Sequence, residues 1–172
     1  TDECHIVHPD FCKILVCTKE YFEEKKVGFY KKMQHTGYLR HLLVRRAVKT
    51  GEILVALVTS GQTENLGATE EYTTPVSEQE LLAGWLSCMQ ALELEGTFAG
   101  ILHIRNDSLA DVVQSDETTI LYGQDFFYET LLGLRFKIST FSFFQPNSLA
   151  AEVLYSVVRQ YIGDTKDKVV FD

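Results

Sequence analysis

The sequence predicts an α+β fold, a mostly antiparallel sheet with packed helices. Three observations lead there. Apolar residues recur at helical spacing in three segments. Several short runs rich in Val, Ile, Leu, Phe and Tyr read as strands. Most of the links between those runs are of hairpin length. The resulting order, α-β-β-α-β-β-β-β-α-β, is not a succession of βαβ crossovers. Only the final helix and strand look like the entrance to one.

Pro9-Asp10 suits a helix start, because proline fits the first turn and an acid favours the positive N-terminal end. Phe11, Ile14, Leu15, Thr18 and Phe22 then recur on one face, predicting a helix over about 10–25. Gly28 and Gly37 punctuate a loop carrying Lys31, Lys32 and Met33. Residues 38–48 read as a strand, Lys49-Thr50-Gly51 as a turn, and 53–59 as a strand covered on both faces. Residues 60–76, with Pro75, form a loop. Ser77 with Glu80 makes a capping box, and Leu81, Leu82, Trp85, Leu86, Met89 and Leu92 follow on one face of a helix ending near Gly96. Strands are predicted at 98–104, 118–122, 126–130 and 134–139, with a turn at Gly123-Gln124-Asp125 and a join through Gly133. The last helix carries Leu149, Val153, Leu154, Val157, Val158 and Tyr161 as its apolar stripe and stops at Gly163-Asp164. Lys168 to Asp172 begin another buried-type strand.

The chain has 172 residues, 45% of them hydrophobic and 23% charged, and a formal net charge of −8. That excludes a disordered tail, a coiled coil and a collagen-like chain. No stretch approaches the ~18 consecutive apolar residues of a membrane span. The opening, Thr1-Asp2-Glu3-Cys4-His5, is polar and acidic, unlike a secretory signal, and lacks an initiator Met, which fits a processed chain or a piece of a longer one. Four Cys are too few for a disulfide scaffold, so a reducing, cytoplasmic setting is expected.

The net charge conceals an uneven distribution. From Lys25 to Gly51 there are eight basic residues and no acid: Lys25, Lys26, Lys31, Lys32, Arg40, Arg45, Arg46 and Lys49. From Glu52 to Ile104 there are eight Glu and no Lys or Arg. Phe29, Tyr30 and Tyr38 interleave with the cations, a combination that holds single-stranded RNA through phosphate neutralisation and base stacking. Arg40, Arg45, Arg46, Lys31 and Lys32 are therefore the candidate RNA contacts, against the plainer reading of a solvated face. Strand alternation sends Arg40 and Arg46 to one face and His41 and Arg45 to the other. At least one set must be paired or lie near a ligand, because burying an uncompensated charge is costly.

Two further clusters bear on chemistry. Cys4, His5, His8 and Cys12 place four potential metal ligands within nine residues. Structural zinc usually joins two separated ligand pairs, so free thiols and surface histidines beside a helix start are the simpler reading. Cys17 and Cys88 read as small buried hydrophobes. Ser142-Phe143-Phe144-Gln145-Pro146-Asn147 is an aromatic-amide turn at a helix entrance, with Asn147 as a capping residue. Gln145 offers a donor and an acceptor together, which suits recognition of a base edge or an adenosyl methionine group.

The stretches Gly37 to Arg46, Thr50-Gly51-Glu52, Leu121-Tyr122-Gly123, Leu132 to Ser139 and Ser142 to Asn147 resemble the RNA (uracil-5-)-methyltransferases of the 23S rRNA type. The resemblance covers essentially the whole chain. It implies an S-adenosylmethionine-dependent enzyme of the cytoplasm making 5-methyluridine in RNA, 23S rRNA by the closer likeness, with neither a membrane nor DNA as partner. Residues 1–140 would be a central substrate-binding domain. Residues 141–172 would be the entrance to a Rossmann-like methyltransferase domain, cut off at its first helix and strand. The nucleophilic Cys and the base would lie in the missing part, so no catalytic residue is expected here and the fragment should be inactive. Gln145 would contact S-adenosylmethionine, with Phe143 and Asn147 shaping the site. Cys4 matches the fourth ligand of the [4Fe–4S] cluster found in the family and would be metal-free in this fragment, because a cluster needs about four thiolates. A stand-alone RNA-binding module without catalysis is the alternative. A protein-interaction domain, its Glu-rich half meeting a basic partner, is a third.

Overall fold

A computed structural model describes residues 4–64, 66–67, 76–110, 115–166 and 169. The elements in chain order are α1 (Pro9–Glu24), β1 (Leu39–Arg46), β2 (Glu52–Thr59), α2 (Glu78–Gln90), β3 (Thr97–Arg105), β4 (Glu117–Gly123), β5 (Phe126–Leu131), β6 (Leu134–Ser139) and α3 (Ser148–Ile162). The strand expected at 168–172 lies, except for Val169, outside the described residues, as does Pro75.

The strands form a four-stranded sheet in the order β1-β2-β3-β4 and a separate β5-β6 hairpin. The β1–β2, β3–β4 and β5–β6 pairs are antiparallel, while β2 and β3 run parallel. The α+β class with a mostly antiparallel sheet holds. The expectation that no crossover precedes the last helix does not, since β2-α2-β3 is a βαβ unit. The reason is visible in the strands themselves. Ile53 to Val58 and Ile101 to Ile104 are all buried, as central strands covered on both faces must be. The link between them is long enough to carry a helix back across the sheet.

Alternation along β2 divides the interior in two. Ile53, Val55 and Leu57 join Ile14, Phe22, Trp85 and Met89 beneath α1 and α2. Leu54, Ala56 and Val58 face the opposite way, onto Phe127 and Ile138 of the hairpin. The sheet is thus a filling between two helices and a hairpin. The hairpin closes through Leu132 and Gly133, both at positive φ (48° and 81°), as a two-residue turn of the mirror-image type requires.

Helix α1 starts as expected, with Pro9 in the first turn and His8 as its cap, the ring Nδ1 accepting from the Asp10 amide at 3.2 Å. The α2 box forms: Ser77 Oγ accepts from the Glu80 amide at 3.2 Å and donates to the Glu80 carboxylate at 2.7 Å. That helix ends at Gln90 rather than near Gly96, because the Glu95 and Gly96 amides turn instead onto the Asp10 carboxylate, each at 3.0 Å. Gly163, at φ 66°, stops α3. The α3 stripe is real but uncovered: Val153 is 66% and Tyr161 88% exposed, and only Ser148 and Ala151 of the helix are buried. No helix among the described residues is long and apolar enough to cross a membrane.

Candidate functional site

The segment between β6 and α3 carries Gln145 and is fixed at both ends. At its start, Arg45 reaches from β1 and donates through Nη1 to the carbonyls of Ser139 (2.7 Å), Thr140 (3.1 Å) and Ser142 (2.8 Å). Its guanidinium also lies 5.6 Å from the Phe127 ring centroid. Burial pushes the Arg45 pKa below its ordinary value. The Ser142 hydroxyl closes the turn onto the Ser139 amide and hydroxyl, at 3.2 and 2.7 Å.

At its far end the anchor is Glu129 on β5, a carboxylate only 1% exposed. It accepts from the Ser148 hydroxyl at 2.9 Å and from the Val48 and Lys49 amides at 2.6 and 3.2 Å. One buried acid therefore ties the start of α3 to the β1–β2 turn. The Asn147 amide oxygen caps α3 by accepting from the Ala150 amide at 2.9 Å, so that atom is engaged within the fold. Glu152, one turn further along α3, pairs with Lys49 and accepts from the Leu132 amide at 2.8 Å. The Lys49 hydrogen bond, and then the Leu132 amide, hold its pKa below the usual carboxylate value.

Gln145 lies between these anchors, half-buried, and its side chain makes no hydrogen bond among the described residues. It stands in the wall of two cavities. One, of about 390 Å³, is also lined by Arg45, Arg46, Glu129, Thr140 and Phe144. The other, of about 420 Å³, is lined by Leu134, Phe136, Phe143, Phe144 and Tyr155. Both fall within the size range of small-molecule sites, ~300–1,000 Å³. Phe143 is 86% exposed beside the amide. Gln145 thus places an amide donor and acceptor on the rim of an apolar hollow, between residues that Arg45 and Glu129 tie to the sheet and hairpin.

The basic stretch divides into internal and external cations. Arg46 pairs with Asp10, Nε to Oδ2 at 3.3 Å. Arg40 donates to the carbonyls of Asn106 (2.6 Å), Ser108 (2.8 Å) and Ala110 (3.2 Å), and its guanidinium covers the Tyr30 ring at 4.4 Å. All three arginines are thus compensated within the fold, so an RNA ligand is not needed to offset their burial. Arg45 and Arg46 leave opposite faces of β1 as alternation requires, while Arg40 sits where the β1–β2 register shifts. Lys31 and Lys32 stand instead on an exposed loop, closed by a hydrogen bond from the Lys31 amide to the Thr36 carbonyl at 2.7 Å. Gln62 braces that loop by donating to the His35 carbonyl at 2.7 Å and accepting from the Gly37 amide at 3.1 Å.

The four thiols are free and partly buried. Burial pushes the Cys17 thiol up to about 11. Cys4 is drawn below its ordinary value by the Ile6 and Val7 amides. Cys12 Sγ donates to the Cys4 carbonyl at 3.7 Å, and the His8 ring is used in capping. Among the described residues there is no group of three or more His, Cys, Asp or Glu able to hold a metal ion.

Arg45 and Glu129 were not legible as organisers of the Gln145 segment. The available signals were a cation on the hairpin side of β1 and an acid between Phe127 and Leu131, on the inward-facing positions of β5.

No family model matches the chain. A protein of Clostridium tetani named an uncharacterized RNA methyltransferase is 48% identical over 172 residues, covering 99% of this chain and 34% of the relative. One of the same name from Clostridium acetobutylicum is 46% identical over 100% of this chain and 34% of its own length. Among solved structures, the Pyrococcus abyssi tRNA (uracil-54, C5)-methyltransferase in complex with S-adenosyl-L-homocysteine superposes with a TM-score of 0.63 and 25% identity, over 93% of this chain and 34% of that one. The chain spans about a third of the length of the curated relatives it matches, and along its own length it is similar to proteins named RNA methyltransferases.

Proposed function

We propose that this chain is the central, RNA-facing part of an S-adenosylmethionine-dependent RNA (uracil-5-)-methyltransferase that makes 5-methyluridine in 23S rRNA. The observation that carries the reading is the match of nearly the whole chain, at 48% identity, to one third of a protein named an RNA methyltransferase. The solved tRNA uracil methyltransferase with S-adenosyl-L-homocysteine supports the uracil and cofactor assignments. S-adenosylmethionine, when bound, supplies the methyl group.

The chain's own contribution is to bind and orient. Gln145 offers both halves of its amide to the adenosyl methionine group, and Phe143 borders the same hollow. Arg45 and Glu129 keep the Gln145 backbone from drifting, which matters because misplacement by about 1 Å can cost 10²-fold in rate. Lys31 and Lys32 meet RNA phosphates, with Arg40, Arg45 and Arg46 shaping the surface behind them. The uncovered stripe of α3 fits burial against the part of the protein that the relatives carry outside the matched third, where the methyltransferase domain would lie. Cytoplasmic RNA is the partner, with neither DNA nor a membrane.

The test is methyl transfer from labelled S-adenosylmethionine by the product of the complete gene, offered 23S rRNA and tRNA transcripts separately. Label is expected in 23S rRNA. Label in tRNA alone would overturn the rRNA assignment, and label in neither would overturn the enzyme reading. The 172-residue chain itself is expected to bind RNA without turnover.

A further inference from the structure

The outward face of the β5–β6 hairpin lies outside the acid-free stretch and outside the Gln145 segment. Phe127, Glu129, Leu131 and Ile138 point inward and are buried. Alternation therefore places Phe126, Tyr128, Arg135 and Lys137 on the opposite face. Tyr128 is in register with Lys137, and Thr130 with Arg135. The Arg135 guanidinium lies 3.5 Å from the Tyr128 ring centroid, a stacking distance, and Lys137 Nζ lies 3.9 Å from that of Phe126. The two rings meet edge to face at 5.4 Å. Neither cation has a carboxylate partner among the described residues.

The platform is held from below. The Tyr128 amide donates to the Glu52 carboxylate and its carbonyl accepts from the Thr50 hydroxyl, both at 2.6 Å. Two aromatic rings and two unneutralised cations are thus fixed side by side on a chain of net charge −8. A polyanion with planar groups meets all of its features.

We propose that this face is a second contact surface for single-stranded RNA. Arg135 and Lys137 take consecutive phosphates. A base stacks on the guanidinium plane that covers Tyr128. The inference rests on the RNA-facing reading above and extends it to a surface on the side of the sheet away from α1 and α2.

Fluorescence anisotropy of the 172-residue chain with a short uridine-rich single strand, across a salt series, tests it. R135A/K137A is expected to weaken binding about tenfold or more at low salt. It should also make the log-affinity against log-salt slope shallower by about 1.4, the value for two phosphates on a single strand. Y128L, which keeps both charges, is expected to weaken single-strand binding several-fold and to leave duplex binding unchanged. All three side chains point outward, so unaltered circular dichroism and urea midpoints separate the effect from unfolding. Wild-type binding that R135A/K137A leaves intact, but K31E/K32E abolishes, would overturn this surface and keep the RNA-facing reading. No binding by the wild type at low salt would overturn both.

Discussion

Replacing Asp10 with alanine is expected to destabilise the chain by about 3–5 kcal/mol, the scale for removing one partner of a buried ion pair. Asp10 is 1% exposed and binds three elements at once. It sits in the first turn of α1, accepts from the Glu95 and Gly96 amides ahead of β3, and pairs with Arg46 at the end of β1. Its loss leaves a half-buried guanidinium and two amides unsatisfied. Burial alone would raise the Asp10 pKa. The two amides, followed by His8 and Arg46, outweigh that and hold it below the ordinary carboxylate value. A carboxyl whose folded pKa is depressed stabilises the fold above its unfolded pKa, about 3.9. That contribution disappears as pH falls through the lower folded value. Urea midpoints of wild type and Asp10→Ala should therefore differ most at about pH 6–7, and the gap should narrow on acidification below about pH 4. A gap that stayed constant down to pH 2 would assign the effect to lost packing instead.

Arg45→Met keeps the aliphatic stem and removes the donors. The expected cost is about 2–4 kcal/mol, since hydrogen bonds from a charged group contribute about 1.5–3 kcal/mol and three carbonyls share one Nη1. The change is expected to loosen residues 139–142 first, and with them Gln145. Amide hydrogen exchange should show protection lost across β6 and the following turn, with α1 and α2 unchanged. Uniform loss across the chain would mean that Arg45 stabilises the fold without organising that segment. The same substitution bears on the sequence reading, in which Arg45 was a candidate RNA contact.

Local chemistry was legible where it is one-dimensional. The Ser77–Glu80 box, the Pro9 start, the Gly163 stop and the join through Gly133 depend on residues a few positions apart, and each formed. The unbroken apolar run from Ile53 to Val58 announced a central strand. Strand direction was not legible, because periodicity tells which face is buried and is silent on whether the neighbour runs parallel. The α3 stripe shows the same limit from another side. Its spacing declares an apolar face, but periodicity is silent on what, if anything, covers it. The arginines of β1 show a third. Their density suggested a ligand, yet the carbonyls and the carboxylate that compensate them come from positions 36 to 97 residues away. Gln145 was marked from its motif, and the geometry adds the two anchors, Arg45 and Glu129, that hold it at a cavity wall.

The most direct measurement is steady-state methyl transfer by the complete gene product carrying Gln145→Ala, with the labelled nucleoside identified after digestion of the RNA. The expected product is 5-methyluridine. The KM for S-adenosylmethionine is expected to rise about tenfold, the equivalent of one hydrogen bond of about 1.4 kcal/mol, with a smaller change in kcat. A methyl group on any other nucleoside, or an unchanged KM with normal turnover, would contradict it.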